Sequence, residues 1–381
     1  MFELSQAHKN LQNAYREFAL NKVAPLADAM DTEQVFSAEL TQKMADSGYL
    51  GALIPTELGG SDLDMLSFGL LNEELGRVCS STRSLITVHS MCSHAILRWG
   101  RGGQKERWLP RLASGDLIGA FALTEPKIGS NAGYIETNAV KQGDDYLLNG
   151  TKQWITFGQI ADLFILFAKW EGKAVAFILE KAAPGLTITP IEGMLGTRGA
   201  MLATLHLRDC RVSAENLLGG LGFGIAGVAM SALDIGRYSV ATGSLGIGQG
   251  CLDASLSYSR QRVQFGKPLN SFQLIQQMIT NMVTEVQAAR LLCYQAGEAL
   301  QNKAPAASNM ILIAKYNTST MAMRAASDAV QIHGANGCSS DYPVQRYFRD
   351  AKVMEIIEGS NQMQQIMIAR NAATAQPAPT H

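Results

Sequence analysis

A carboxylate able to take a proton, a flat ring able to stack and a loop of small hydroxyls are the groups here that could do chemistry. Ile357-Glu358-Gly359-Ser360 breaks a helical pattern that resumes at Met363. A carboxylate just before a Gly-Ser break sits on a turn, from which it can project into a cleft. Read alone, such a glutamate is more often a helix-end charge in water than a catalyst, and Glu355 is an equal candidate by composition. Thr124-Glu125-Pro126-Lys127-Ile128-Gly129-Ser130-Asn131 puts hydroxyls and a glycine in a loop leaving a strand. Its backbone N–H groups could meet a phosphate or ring oxygens, or the loop is a plain β-turn. Trp154-Ile155-Thr156 ends a strand with a large ring beside a hydroxyl, suited to the core or to an aromatic cofactor. Arg83 precedes an apolar helical stretch; pointed into a pocket, its planar fork could clamp a carboxylate. Gly222-Phe223-Gly224-Ile225-Ala226-Gly227 matches the dinucleotide fingerprint literally, but one helical pattern follows it to about Phe265. It therefore reads as a flexible entry to a long helix, and a nicotinamide Rossmann domain is rejected. His89 and His94 are five apart, off the spacing of a helical metal pair, and no metal is expected.

The elements that must position these groups fall into three zones, as a chain of 381 residues leads one to expect. Over residues 1–116 apolar residues recur at helical spacing (Leu11, Tyr15, Phe18), with breakers at Gly48, residues 55–60 and Gly100-Arg101-Gly102-Gly103. Residues 117–221 change to strand chemistry. Asn149-Gly150 between residues 146–148 and 151–155 predicts a hairpin turn, and Glu171-Gly172 joins a second pair of runs. Consecutive strands without helices between them predict an antiparallel sheet or barrel. Residues 222–372 are helical again; Ile275, Met278, Ile279, Met282, Val283, Val286 and Ala289 mark one long stripe, and a four-helix bundle is expected. Residues 373–381 are expected to form a flexible tail. The fold class is thus α+β, helical, then β, then helical. Near-equal basic and acidic counts, 32 and 33, exclude a broad nucleic-acid surface. Six scattered cysteines suit a reducing cytoplasmic setting, and no apolar run approaches the ~20 residues of a membrane span.

Taken together these segments resemble the acyl-CoA dehydrogenase family from about residue 4 to 370. Thr124-Glu125-Pro126 with Gly129-Ser130 is similar to its first signature and Trp154-Ile155-Thr156 to its flavin-stacking strand. Arg262-Val263-Gln264-Phe265-Gly266-Lys267, Gln331-Ile332-His333-Gly334-Ala335-Asn336-Gly337 and Arg349-Asp350-Ala351-Lys352 followed by Ile357-Glu358-Gly359-Ser360 match three more, in order. The resemblance implies FAD as cofactor. Thr124, Ser130, Trp154 and Thr156 would hold its ring and pyrophosphate from one subunit. Arg262, Phe265 and Gln331 would hold its distal half, partly from a neighbour, and Ser360 and Gln362 would also face it. A homodimer or homotetramer follows, with an electron-transfer flavoprotein as electron acceptor. Glu358 matches the base that removes an acyl thioester's α-proton before hydride passes to the flavin. Its N–H and a flavin ribityl hydroxyl would stabilise the enolate oxygen. Some members carry their glutamate at the position of Gly236, which cannot take a proton; Arg237 beside it matches a contact to the pantetheine arm.

Lys127-Ile128, Asn131, Phe157 and Ala335 depart from the family pattern near the flavin and the acyl entrance. Cys79-Ser80-Ser81-Thr82-Arg83-Ser84 and the run from Asp350 through Ser360 resemble dehydrogenases that oxidise acyl groups on an acyl carrier protein for polyketide extender units. Arg83 also aligns with the arginine that glutaryl-CoA dehydrogenases use for a distal carboxylate. A short polar acyl group on a carrier protein is the leading expectation. A catabolic short-chain or dicarboxylic acyl-CoA dehydrogenase is the alternative, and a non-catalytic helical-bundle interaction protein the third reading.

Overall fold

In the computed structural model, residues 3–374 are described. The first helical layer comprises α1 (Gln6–Phe18), α2 (Ala24–Glu33), α3 (Ala38–Asp46), α4 (Met65–Val78), α5 (Ser80–Trp99) and α6 (Gln104–Ala113). Local chemistry sets their starts. The side chains of Ser5, Ser37 and Asp64 accept first-turn backbone N–H groups of α1, α3 and α4, each cap worth about 1 kcal/mol. Gly48, Gly59 and Gly103, at the expected breakers, take the left-handed φ that lets the chain reverse.

The sheet holds β1 (Gly119–Ala122), β2 (Asn138–Gln142), β3 (Asp145–Ile155), β4 (Leu163–Trp170), β5 (Lys173–Glu180), β6 (Leu186–Pro190), β7 (Ala203–Ser213) and β8 (Leu217–Leu218). Their order is β6-β7-β3-β2-β4-β5-β8, with β1 beside β4. The pairs are antiparallel except β1 with β4 and one β2–β4 residue pair, which are parallel. Glu171-Gly172 turns β4 into β5 as expected. Asn149-Gly150 does not turn. Both residues lie inside β3, where pairing with β7 slips between Leu148 and Gly150. The glycine serves close approach instead: a Cβ at 150 would stand 2.6 Å from Thr137 Oγ1. Asn149 is tied side chain to side chain with Asp209. The β2–β3 reversal falls at Gly143, at φ 61°.

The second helical layer comprises α7 (Met230–Gln261), α8 (Gln273–Gln301), α9 (Ala307–His333), α10 (Val344–Met354) and α11 (Asn361–Thr374). The glycine motif at 222–227 runs through a π-helical turn, Gly224–Ala229, straight into α7. α7 ends at Gln261, short of Phe265, because residues 263–268 form a small hairpin of β9 (Val263–Gln264) and β10 (Lys267–Pro268). Phe265 and Gly266 make its tip with left-handed φ. α7 is the central rod. Gly243 and Gly246 let it approach Arg83 of α5 and the backbone of α4, where any Cβ would collide. α11 extends two residues into the expected tail; residues 375–381 lie outside the described residues.

Candidate active site

Between α10 and α11 the chain makes a turn that carries Glu358. Glu358 and Gly359 are successive left-handed residues, φ 54° and 88°, a conformation that costs a glutamate about 1–2 kcal/mol. The turn brings the carboxylate against Gly236 of α7. A Cβ at 236 would stand 2.8 Å from the carboxylate carbon and 2.7 Å from Met91 Sδ. Oε2 is buried without a partner among the described residues. Among the described residues no backbone hydrogen bond takes the Glu358 N–H. Burial raises the pKa of this carboxyl, and Arg237, Arg83 and Lys315, in that order, pull it down without cancelling the rise. Such a group has the properties of a general base: enclosed, partnerless, and more basic than in water. Glu355 is separated from it in kind, since its Oε2 pairs with Lys352 Nζ at 2.7 Å near the surface. Gln364 Nε2 donates to the Glu358 and Gly359 carbonyls at 3.2 and 3.0 Å. Lys315, a residue the sequence reading missed, donates from α9 to the Gly359 carbonyl at 2.9 Å.

Trp154 near the end of β3 is also left-handed, φ 61°, and 47 % exposed. Gln153 N–H donates to the Thr124 carbonyl at 2.9 Å, so the loop at 124–131 and the strand end lie side by side. A buried pair fixes them from beneath. Glu125 accepts Lys152 Nζ at 2.7 Å and Thr137 Oγ1 at 2.6 Å, and Lys152, fully buried, also donates to the Leu123 carbonyl. Thr124 and Thr156 are half-buried and Ser130 exposed. A broad ring held open beside hydroxyls and a short loop fits a flat heteroaromatic group carrying phosphates, as FAD is. Ser360, half-buried, follows Glu358-Gly359, while Gln362 is exposed on α11. Phe157 does not belong to this surface. It is fully buried and meets Phe36 edge-on at 5.1 Å, packing the first helical layer onto the sheet.

Arg237 is buried and already engaged. Its Nη1 pairs with Asp234 at 3.0 Å and its Nε faces the Glu358 carbonyl at 3.4 Å, so it braces the turn that carries Glu358. Arg83 is fully buried. Its Nη1 donates to Thr87 Oγ1 at 2.8 Å, its Nη2 lies 3.2 Å from Met354 Sδ, and its Nε has no partner among the described residues. Burial lowers its pKa to about 10, which leaves it cationic at neutral pH. The stretch at 79–84 that suggested a carrier protein is buried throughout; its side chains cannot meet another protein's surface. Arg262 and Phe265, both exposed, are not brought to Glu358 by this chain. They lie beyond the far end of α7 from Gly236, about 39 Å along the helix axis. Gln331, also exposed, sits near the C-terminal end of α9.

Three family descriptions match in order: acyl-CoA dehydrogenase N-terminal domain over residues 5–116, middle domain over 120–210 and C-terminal domain over 222–373. An acryloyl-CoA reductase (NADH) of Anaerotignum propionicum is 40% identical, over 97% of this chain and 95% of its own. The mitochondrial short-chain specific acyl-CoA dehydrogenase of Mus musculus is 38% identical, over 96% and 90%. Butyryl-CoA dehydrogenase from Megasphaera elsdenii superposes with TM-score 0.94 at 37% identity, over 98% and 100%. A glutaryl-CoA dehydrogenase in complex with glutaryl-CoA gives 0.94 at 34%, over 100% and 98%. A prolyl acyl carrier protein oxidase gives 0.91 at 29%, over 97% and 100%. Relatives named for CoA thioesters thus stand above the carrier-linked one in identity, which corrects the leading expectation toward CoA. Matched along its whole described length in sequence and in the order of its three zones, the chain belongs to the acyl-CoA dehydrogenase family of FAD-dependent oxidoreductases acting on CH–CH bonds.

Proposed function

We propose that this chain dehydrogenates short acyl-CoA thioesters, with Glu358 as the base that removes the α-proton. One observation carries the reading: a carboxylate enclosed against Gly236 with a partnerless oxygen, on a turn held in a left-handed conformation. Bound FAD supplies the acceptor for the β-hydride. Thr124, Ser130, Trp154, Thr156, Ser360 and Gln362 would hold its near half, and Arg262, Phe265 and Gln331 the distal half of a second copy's cofactor. Electrons would leave to an electron-transfer flavoprotein.

The chain's own residues account for the proton step. A thioester α-proton is too weakly acidic for an ordinary carboxylate, so the base must be strengthened and the enolate oxygen stabilised. Burial does the first. The Glu358 N–H can do the second, a donor of this kind being worth ~3–4 kcal/mol. Arg83 lies across Gly243, seven residues along α7 from Gly236, about 10 Å further in. That depth suits a short acyl chain.

A second reading has its own support. Arg83 is a buried cation that feels the charges of Glu358 and Asp350 but has no carboxylate within 4 Å among the described residues, which favours an acyl group ending in a carboxylate, as in the structural relative bound to glutaryl-CoA. Anaerobic mixing of the FAD-loaded protein with butyryl-CoA and glutaryl-CoA tests both. Butyryl-CoA should bleach the flavin, and Glu358→Gln should slow bleaching by ~10²–10⁴-fold. A preference for glutaryl-CoA that Arg83→Met removes selects the dicarboxylic substrate. Bleaching by acyl carrier protein thioesters alone sinks the CoA reading.

A further inference from the structure

Lys315 is a cation in the wrong place for a helix. It is fully buried in α9, on the same face as buried Ile311, Leu312, Thr318 and Ala322, a position normally filled by an apolar side chain. It forms no ion pair among the described residues within 4 Å. Its Nζ donates to the Gly359 carbonyl at 2.9 Å and to Asn361 Oδ1 at 3.0 Å, and lies 3.5 Å from the Glu355 carbonyl. All three oxygens belong to the segment that carries Glu358, on both sides of it. Asn361 is fixed in turn by Ser319 Oγ, which donates to the same Oδ1 at 2.9 Å, and by its own Nδ2 donating to Thr320 Oγ1 at 3.2 Å. One turn of α9 therefore grips the start of α11 and the left-handed pair ahead of it.

We propose that Lys315 is a positioning residue of the base: it locks the left-handed turn at Glu358-Gly359 and adds its charge to those of Arg237 of α7 and Arg83 of α5, which the Glu358 carboxylate also faces. This rests on the reading of Glu358 as base. A buried ammonium bound only to neutral oxygens has its compensating charge elsewhere. The charged groups facing it are Glu358 and Glu355 of the turn and Arg237 of α7. Glu355 is already paired with Lys352, and Arg237 with Asp234. Glu358 is the remaining anion. Burial brings the Lys315 pKa down to about 7 against the upward pull of Glu358 and Glu355, so its charge and that of the base are set together. Removing the cation raises the pKa of Glu358, and the acidic limb of the proton-removal rate moves to higher pH.

The test uses FAD-loaded Lys315→Met and Lys315→Arg proteins in the native assembly. The limiting rate of flavin bleaching by butyryl-CoA is followed across pH, beside the affinity for S-butyl-CoA, a thioether with no carbonyl to enolise. In Lys315→Met the limiting rate should fall at least about tenfold and the acidic limb rise by about half a pH unit or more. Thioether affinity should stay within about threefold. Lys315→Arg, which keeps the charge, should leave the limb where the wild type has it. A folded, flavin-loaded Lys315→Met protein with wild-type rate and an unmoved limb overturns the proposal. If the methionine variant does not fold, Asn361→Asp is read instead. It keeps the acceptor for Lys315 but adds a negative charge, so its limb must also rise, and an unmoved limb overturns the proposal. If Glu358→Gln bleaches as fast as wild type, the base assignment has failed, and that result is separable from the effect at Lys315.

Discussion

A methyl group at position 236 would overlap Glu358 Oε2 and crowd Met91 Sδ, so the absence of a side chain there is what admits the carboxylate to its resting place. Gly236→Ala should push the carboxylate off its site while leaving the backbone of α7 intact, since alanine is the better helix former. Misplacement of a reacting group by about 1 Å can cost on the order of 10²-fold in rate. We expect that loss in flavin bleaching by butyryl-CoA, with flavin content unchanged. A wild-type rate in Gly236→Ala would show that the carboxylate works from another position. At this scale the sequence was only half informative. Glu358 and Glu355 could not be separated from residue types, because the difference lies in a left-handed turn that glutamate seldom adopts and in closure against a helix some 120 positions away in the chain. Lys315 was visible in principle, as a lysine on the apolar phase of α9, but lysines on helices are ordinarily solvated and nothing local marks the exception.

Element boundaries show why some of the fold was legible and some not. Long helices announced themselves through apolar stripes, and the three-zone order follows from the change of period. Asn149-Gly150 misled because a turn dipeptide and a bulge in a long strand use the same residues; only the approach of Thr137 decides between them. The stripe on α8 is more instructive still. Met282, Val286 and Ala289 are buried, but Val283 is 40 % exposed, so this chain covers only part of it; Leu274, outside the stripe on the same helix, is 72 % exposed. Phe265, 92 % exposed at the hairpin tip, makes the same point. Apolar surface of this kind is the mark of an interface, and the distance along α7 requires that interface if Arg262 and Phe265 are to reach a cofactor. Arg262→Ala and Phe265→Ala should therefore lower bound flavin at least about tenfold, each losing contacts worth about 1.4 kcal/mol or more, without changing the helical content. The flavin-to-protein absorbance ratio after gel filtration checks it, with sedimentation reporting the assembly. A monomer that keeps a full complement of flavin would refute the shared site.

The three zones of the molecule are pinned to one another by polar side chains at a few joints, and the turn carrying Glu358 hangs from them. Arg349 and Arg346 of α10 reach Asp31 and Asp28 of the first layer, at 3.0 Å each, and Asp350 accepts the Thr197 N–H in the loop ahead of β7. His89 of α5 makes the corresponding joint between the first layer and the sheet. Its Nε2 meets the Leu112 carbonyl at 3.0 Å and its Nδ1 lies 3.1 Å from the Gly119 N–H. Those partners dictate a neutral ring: Nε2 carries the proton and Nδ1 accepts. A second proton on Nδ1 would confront the Gly119 N–H, and burial opposes the charge as well, lowering the pKa from 6.5 to about 4. The unfolded chain then binds a proton that the folded chain refuses between these two values. Stability contributed by the neutral ring is present above the unfolded pKa and is lost as pH falls toward the folded one. For this fully buried group the loss should amount to about 2 kcal/mol between roughly pH 7 and pH 5. His89→Gln retains a donor and an acceptor but cannot titrate. It should lower stability near neutrality, yet flatten the acid side of the urea-midpoint profile relative to wild type. Parallel profiles for the two proteins would place the acid sensitivity elsewhere, and would mean that the joint between α5 and β1 tolerates a charge its geometry is built to refuse.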